Sequence, residues 1–187
     1  KKTKTPESKS VLRTPHSALR TQYSALRTPH SALAFIALGA NLGDSRQIIL
    51  DALARLEKFS NRPILKSSLW RTTPVDCPPG SPLFVNAAVA LAPLADETPE
   101  SLLKKLRNLE REFGRMPNKG WNAPRPLDLD LVAFGTETRR TAELVLPHPR
   151  AHLRRFVLQP LGEIAPDLIL PGQTQTVAQL LAGLPDA

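Results

Sequence analysis

The sequence predicts an α+β fold, a ferredoxin-like βαββαβ sandwich with extra C-terminal elements, preceded by a disordered repeat tail. Two observations predict it. Short apolar segments typical of buried strands alternate with two segments of helical period, in the order β-α-β-β-α-β. A heptapeptide repeat occupies much of the first 33 residues. The length of 187 residues suits one folded domain together with such a tail.

Residues 1–33 are expected to be a disordered basic tail, and residues 34–187 to form the folded domain. The repeat reads LRTPHSA, LRTQYSA, LRTPHSA, and proline interrupts two of its three copies. Such copies bury too little apolar surface to offset the entropy of ordering. The tail has seven basic residues and one acidic residue, so it accounts for most of the net charge of +8. A repeat without a role and an organelle-targeting segment both fit this composition.

Two strands and one helix are predicted before residue 71. A short apolar run closed by glycine is typical of a buried strand, and apolar residues of helical period after a capping residue are typical of a helix. These patterns predict a strand over Ala34–Leu38, a helix from Ser45 to about Phe59, and a strand over Ile64–Trp70. The glycines of GANLG (39–43) are expected to form the tight turn after the first strand.

A proline-rich loop over Arg71–Pro82 separates this unit from a second one. Five of its twelve residues are proline or glycine. The second unit consists of a strand over Phe84–Leu91, a helix capped by Thr98 that runs to Phe113, a loop over Arg115–Pro126 and a strand over Leu127–Phe134. Residues 135–187 are expected to add short pieces, including a last helix near Val177–Leu184.

The clearest chemical signal is the segment LDLDL at the start of the fourth strand. Side chains alternate between the faces of a strand, so Asp128 and Asp130 share one face and the three leucines face the core. Two carboxylates that are neighbours on one face of a strand raise each other's pKa unless a cation neutralises them. Oxygen ligands suit Mg²⁺, and two such ions can bridge a carboxylate pair and phosphates. Two ordinary aspartates on a solvated strand face are the alternative.

Basic residues near the aspartates favour a site for a metal together with a polyphosphate. Arg125 lies three residues before Asp128, and Arg115 lies in the preceding loop. The planar guanidinium group matches phosphate oxygens. The sequence lacks the glycine-rich GxxxxGK[ST] phosphate loop, so side chains are expected to hold any nucleotide.

Composition excludes several classes of function. The single cysteine, Cys77, excludes an intramolecular disulfide framework and a cysteine-rich zinc site. No apolar run approaches the ~20 residues that a membrane-spanning helix needs, so we expect a cytoplasmic protein without a membrane partner. Because the charge lies mainly in the tail, it does not favour nucleic acid as a partner. The oligomeric state is left open.

The domain resembles the 6-hydroxymethyl-7,8-dihydropterin pyrophosphokinase family of folate biosynthesis. The resemblance covers about residues 35–170. The matching segments are IALGANLGD (36–44), SSLWRTTPV (67–75), FVNAAVAL (84–91), LEREFGR (109–115), APRPLDLDLVAFG (123–135) and LPHPRAHLRRFVLQPLGEIAPDL (146–168). The PRxLDLD run and the FVNAAV run are specific in combination.

The resemblance implies transfer of pyrophosphate from ATP to the pterin hydroxymethyl group, with release of AMP. It implies that Asp128 and Asp130 hold two Mg²⁺ ions and form, with Arg125, the catalytic set. The residues it implies for ATP are Glu110, Arg115, Arg125, His148 and Arg154. The residues it implies for the pterin are Thr72, Val75, Phe84, Asn86 and Phe156, with the two phenylalanines stacked on the ring and Asn86 bonded to its edge.

The chain departs from the family pattern in the loop after the second helix and before the LPH run. Pro117 and Glu143 stand where family members commonly have arginine, and Trp121-Asn122 stands where an arginine–tryptophan pair is usual. Two other functions are therefore kept. One is another Mg²⁺-dependent nucleotidyl or phosphoryl transferase on the same fold, and the other is a non-catalytic RNA-binding module, since such modules share the β-α-β-β-α-β order.

Overall fold

The computed structural model describes residues 33–116 and 124–185. Residues 1–32 and the departures at Pro117, Trp121 and Asn122 lie outside this part of the chain. The strands are β1 (Ala34–Ala40), β2 (Leu65–Lys66), β3 (Trp70–Thr72), β4 (Phe84–Leu91), β5 (Asp128–Phe134), β6 (Arg139–Arg140) and β7 (Val145–Leu146). The helices are α1 (Ser45–Leu56), α2 (Pro99–Glu112), α3 (Arg155–Ile164) and α4 (Val177–Gly183), with one-turn 3₁₀ helices at Glu57–Phe59 and Ala151–Leu153. The mixed α/β class is confirmed.

Five strands form one antiparallel sheet in the order β2-β4-β1-β5, with β3 also paired to β4. Gly39 on β1 lies opposite both Asn86 on β4 and Asp128 on β5. The end of β1 and the starts of β4 and β5 therefore meet at one end of the sheet. No helix in the two described ranges has the length and apolar content needed to cross a bilayer.

Helices cover both faces of the sheet. Helices α1 and α2 pack on the face that presents Ile36 and Leu38, and helix α3 with Val177 of α4 packs on the face that presents Phe35 and Ala37. The sequence predicted only short pieces and one last helix after residue 134, so helix α3 was not foreseen. Its sequence, RFVLQPLGEI, includes a proline and a glycine, which are poor helix formers. Burial of its apolar residues against the sheet stabilises this helix.

The predicted second strand over Ile64–Trp70 is wrong, because the structure has two short strands there. Between them the backbone N–H of Ser67 donates to the carbonyl of Ala88 at 3.0 Å. The Ser67 hydroxyl oxygen in turn accepts the N–H of Ala88 at 2.9 Å. A side-chain oxygen thus takes the place of a backbone carbonyl and interrupts the ladder. Strand β3 then extends to Thr72, inside the predicted loop.

Smaller differences concern the ends of β1 and α1. Leu33, the last residue assigned to the tail, is buried in the core under α3. Gly39 lies within β1, and Gly43, with φ of 73°, occupies the turn. Helix α1 is capped by Asp44, whose carboxylate accepts the N–H of Gln47 at 3.1 Å, and not by Ser45. By contrast, the predicted cap at Thr98 and the last helix are confirmed.

Candidate active site

A cavity of about 210 Å³ opens at the end of the sheet where β1 ends and β4 and β5 begin. All but one of the site residues proposed from the sequence line it. They are Thr72, Val75, Phe84, Asn86, Arg115, Arg125, Asp128, Asp130, His148, Arg154 and Phe156. Residues that the sequence analysis did not propose also line it, among them Gly39, Asp76, Cys77 and Arg150.

The side chains of β5 alternate as predicted. Leu129 and Leu131 are buried in the core under α1 and α2, whereas Asp128 and Asp130 face the cavity. Burial raises the pKa of Asp130 to about 6, and the negative charge of Asp128 contributes in the same direction. The side chain of Asp130 keeps 36% of its surface exposed, so a ligand can reach it. Two carboxylates in this state favour a cation between them.

Two arginines converge on Asp128. Nη1 of Arg115 lies 2.6 Å from Oδ1 of Asp128, and Nη1 of Arg125 lies 3.1 Å from Oδ2. Asp130 has a different neighbour, since its Oδ2 lies 3.9 Å from Nε2 of His148. The two aspartates are therefore unequal: Asp128 is bound by guanidinium groups, and Asp130 is the more accessible to a cation.

Glu110 lies outside this cavity but lines an adjoining one together with Arg115 and Asp130, so its proposed contact with the nucleotide stays a prediction. Its carboxylate is buried below β5, where Oε1 accepts the backbone N–H of Leu129 at 2.7 Å and also contacts Arg115. Burial raises the pKa of Glu110 to about 7, against the opposing effects of the Leu129 N–H and the Arg115 charge. Glu110 thus holds Arg115 and the edge strand in place, which makes it a positioning residue.

His148 is a neutral imidazole whose Nε2 faces Asp130 at 3.9 Å, beyond hydrogen-bond distance. Burial lowers the pKa of His148 to about 4, and the charges of Arg154 and Arg150 add to this effect. Its Nδ1 accepts the backbone N–H of Arg150 at 3.3 Å, which leaves the proton on Nε2, the atom that faces Asp130. The contact with Asp130 is therefore not an ion pair at neutral pH. The backbone N–H of His148 donates to Val132 at 2.9 Å and ties this loop to β5.

Arg154 and Arg150 form the other cationic part of the cavity. Within residues 33–116 and 124–185, neither has a carboxylate at ion-pair distance. Burial lowers the pKa of Arg154, and the charge of Arg150 lowers it further. The guanidinium carbon of Arg154 lies 5.4 Å from the ring centre of Phe156, a cation–π contact. This part of the cavity is suited to an anion.

An apolar slot adjoins these cations. Its walls include Phe84 on β4 and Phe156 in the first turn of α3. Asn86 is buried at 4% exposure, and its Nδ2 donates to Oγ1 of Thr72 at 2.7 Å. A Cβ on Gly39 would lie 3.1 Å from Oδ1 of Asn86 and 3.6 Å from the Phe84 ring. The absence of a side chain at Gly39 therefore keeps this slot open.

Asn41 is a positioning residue that the sequence analysis did not identify. It is buried, its Oδ1 accepts the N–H of Arg125 at 2.9 Å, and its own N–H donates to the Arg125 carbonyl at 3.2 Å. Its Nδ2 also donates to the carbonyl of Pro82 at 3.4 Å. These bonds fix the backbone of Arg125 beside Asp128. The available signal was an asparagine directly after a buried strand, within the GANLG segment.

Comparison with known proteins assigns the chain to a family. The family model described as 7,8-dihydro-6-hydroxymethylpterin-pyrophosphokinase matches residues 35–166. The chain belongs to this family. It is 36% identical over 148 residues to the 2-amino-4-hydroxy-6-hydroxymethyldihydropteridine pyrophosphokinase of Synechocystis, over 79% of this chain and 74% of that relative. It is 35% identical over 154 residues to the enzyme of the same name from Haemophilus influenzae, over 82% of this chain and 93% of the relative.

Solved structures share the fold of this pyrophosphokinase chain. An HPPK-DHPS crystal structure in complex with substrates superposes with a TM-score of 0.62 at 13% identity. The wild-type Plasmodium falciparum HPPK-DHPS with pteroate superposes with a TM-score of 0.64 at 16% identity. Each match covers 81% of this chain and 43% or 42% of the other, so the chain spans less than half the length of those proteins.

Proposed function

We infer that this chain transfers the pyrophosphoryl group of ATP to the hydroxymethyl group of 6-hydroxymethyl-7,8-dihydropterin, in folate biosynthesis, and releases AMP. Its family and the names of its relatives support this activity. The main structural support is a single cavity that combines an apolar slot with a pair of aspartates and several arginines. A flat heterocycle fits the slot, and a metal-bound polyphosphate fits the charged part.

The pterin end of the cavity would use stacking and one amide. We propose that Phe84 and Phe156 stack on the pterin ring and that the buried amide of Asn86 bonds to its edge. The bond between Asn86 and Thr72 fixes the orientation of this amide. Val75, which is 55% exposed at the mouth, would cover the ring and reduce its contact with water. A buried amide rejects rings that leave it unpaired, so these residues would set specificity.

The residues present fit Mg²⁺ as the metal. Asp128 and Asp130 would hold two ions, because Mg²⁺ in nucleotide sites commonly takes one or two carboxylates and completes its shell with phosphate oxygens and water. In the described part of the chain, no group of three or more His, Cys, Asp or Glu residues forms a metal site on its own. The fit therefore depends on bound ATP as a co-ligand. When bound, the metal would neutralise phosphate charge.

The remaining polar residues would position the phosphates. Arg115, Arg125 and Arg154 supply guanidinium groups around the aspartates, and His148 offers its Nε2–H. Transfer forms a bond from the hydroxymethyl oxygen to the β-phosphorus and breaks the bond to the oxygen that bridges to the α-phosphorus. That oxygen leaves with AMP, and the hydroxyl proton is released. Positioning and charge stabilisation dominate such reactions, and His148, with a pKa of about 4, is a poor base.

We also propose the finer description of the fold and of the domains. The strand order β2-β4-β1-β5, with antiparallel neighbours, supports a ferredoxin-like arrangement. Residues 34–187 would constitute the pyrophosphokinase domain, and residues 1–33 would be a disordered tail.

Removal of residues 1–32 tests the domain proposal. We expect kcat and KM for both substrates to stay unchanged, because every described residue of the cavity lies after residue 36. A large fall in turnover would contradict the proposal and indicate that the tail contributes to the domain.

AMP release with Mg²⁺ and ATP, with and without hydroxymethyldihydropterin, tests the proposed function. Pterin-dependent AMP release is the expected result. AMP or ADP release that does not depend on the pterin would instead favour a transferase with another acceptor. Absence of turnover combined with salt-sensitive RNA binding would favour the RNA-binding module. The two carboxylates of Asp128 and Asp130 in the cavity argue against that module, because they would repel RNA phosphates.

A further inference from the structure

Among the described residues that line the cavity, Arg150 is the arginine that the proposed reaction does not yet use. It lines the cavity beside His148 and Arg154, and its side chain is exposed. Arg115 and Arg125 differ from it, since both are bound to Asp128. In the described ranges, Arg150 has no carboxylate within ion-pair distance.

The backbone that holds Arg150 is well anchored, although its side chain is exposed. Its N–H donates to Nδ1 of His148, and its carbonyl accepts the N–H of Leu153 at 3.1 Å. The next residue, Ala151, is 1% exposed and donates its N–H to the His148 carbonyl at 3.1 Å. A cation held on such a loop is preorganised for a ligand and does not require the loop to order on binding.

Arg150 lies at the opposite end of the one-turn 3₁₀ helix Ala151–Leu153 from Arg154, and both residues line the cavity. Its charge lowers the pKa of Arg154, which shows that the two guanidinium groups act on each other. Arg154 contacts Phe156, a wall of the slot, and it begins α3, whose N-terminal end adds positive potential. Two cations that repel each other in the free protein are stabilised by an anion that both can contact.

We propose that Arg150 is a further anion-binding residue, which together with Arg154 contacts the pyrophosphoryl group that is transferred to the pterin. This inference rests on the proposed function. The contact of Arg154 with Phe156, a wall of the slot, distinguishes this group from the phosphate of AMP, because the transferred group ends attached to the molecule in the slot. Arg115 and Arg125, which contact Asp128, lie on the metal side. We call Arg115 and Arg125 the arginines of the metal side, and Arg150 and Arg154 those of the acceptor side. The charge of Arg154 also acts on Asp130, so the two sides adjoin.

Binding of inorganic pyrophosphate and of AMP, each with Mg²⁺, tests this assignment by calorimetry. In Arg150→Gln we expect about fivefold to tenfold weaker pyrophosphate binding, as for the loss of one exposed charge-assisted contact. AMP binding should stay unchanged. Arg150→Lys should recover most of the pyrophosphate affinity, because the charge is kept. Arg62→Gln is the matched control, since Arg62 is exposed beyond the opposite end of β4 and should affect neither probe.

Several results would overturn the assignment. They are absence of pyrophosphate binding by the unmodified protein, unchanged pyrophosphate binding in Arg150→Gln, or an equal loss of AMP affinity in that variant. A merely structural role of Arg150 would lower the melting temperature and weaken both probes together. AMP release from the unmodified protein with hydroxymethyldihydropterin is measured separately. If no AMP is released, the proposed function is refuted. A selective loss of pyrophosphate binding in Arg150→Gln would still stand as a separate result on the anion site.

Discussion

The arginines of the metal side and those of the acceptor side occupy one cavity but differ in their partners. Arg115 and Arg125 are both bound to Asp128, and Arg115 also contacts the buried Glu110. Arg150 and Arg154 face no carboxylate at ion-pair distance in the described chain. The first pair therefore already has carboxylate partners before a ligand binds, whereas the second pair does not. The comparison predicts that equivalent substitutions on the two sides have different consequences.

The largest expected effect is the loss of turnover in Asp130→Ala. Asp130 faces the cavity and not the core, so the variant should fold while losing metal-dependent activity by at least about a hundredfold. Steady-state AMP release and Mg²⁺ titration in the presence of an ATP analogue measure both properties. A loss within about tenfold, or roughly 1.4 kcal/mol of barrier, would show that Asp130 does not hold the metal.

The second largest expected effect is a difference in the free energy of unfolding between an arginine variant of the metal side and one of the acceptor side. Arg115→Ala leaves the buried carboxylate of Glu110 with the N–H of Leu129 as its remaining partner among the described residues, so we expect a loss of about 1–3 kcal/mol in the free energy of unfolding. Arg154→Ala removes a cation whose pKa burial already lowers, so its stability should change little. Urea denaturation of both variants measures the difference. Equal losses would contradict the division between the arginines of the metal side and those of the acceptor side.

Double substitution sharpens this result. Glu110→Gln should offset part of the loss caused by Arg115→Ala, because the remaining group no longer has a charge to bury. When Glu110→Gln is combined with Arg154→Ala, the changes in the free energy of unfolding should add, because Glu110 and Arg154 share no described contact.

The smallest effect concerns pH. In the folded protein, burial raises the pKa of Asp130 to about 6, above the ordinary value near 4. The folded state then binds more protons than the unfolded state between these values, so the contribution of Asp130 to stability falls as pH rises through that window. Asp130→Asn should therefore be more stable than the unmodified protein at pH 7, with the difference disappearing near pH 4.

His148 also titrates in this pH range, so the effect of Asp130 must be read from the difference in stability between Asp130→Asn and the unmodified protein. Its pKa is lowered to about 4, so its contribution to stability is present above the ordinary value near 6.5 and is lost as pH falls toward 4. The two groups titrate over overlapping windows with opposite sign, and the raw profile of the unmodified protein can appear flat. A difference between Asp130→Asn and the unmodified protein that grows toward acid pH would contradict the assignment.

The sequence by itself determined the features that depend on local pattern. The alternation in LDLDL directed the leucines to the core and the aspartates to the cavity, because side chains of a strand alternate between its faces. Thr98 followed by proline identified the start of α2 through local capping geometry. Apart from the divided second strand and helix α3, the order of strands and helices likewise followed from hydrophobic period. The family resemblance pointed to most of the side chains that line the cavity.

Only the tertiary structure decided the features that depend on contacts distant in sequence. Glu110 became a buried partner of Arg115 because α2 packs below β5, which no periodicity reveals. Gly39 became part of the slot because β1 lies between β4 and β5 and brings it opposite Asn86 and Asp128. Helix α3 forms on the sheet despite its proline and glycine, since burial outweighs intrinsic propensity. The same packing brings Arg150 and Arg154 to a site formed by strands distant in sequence.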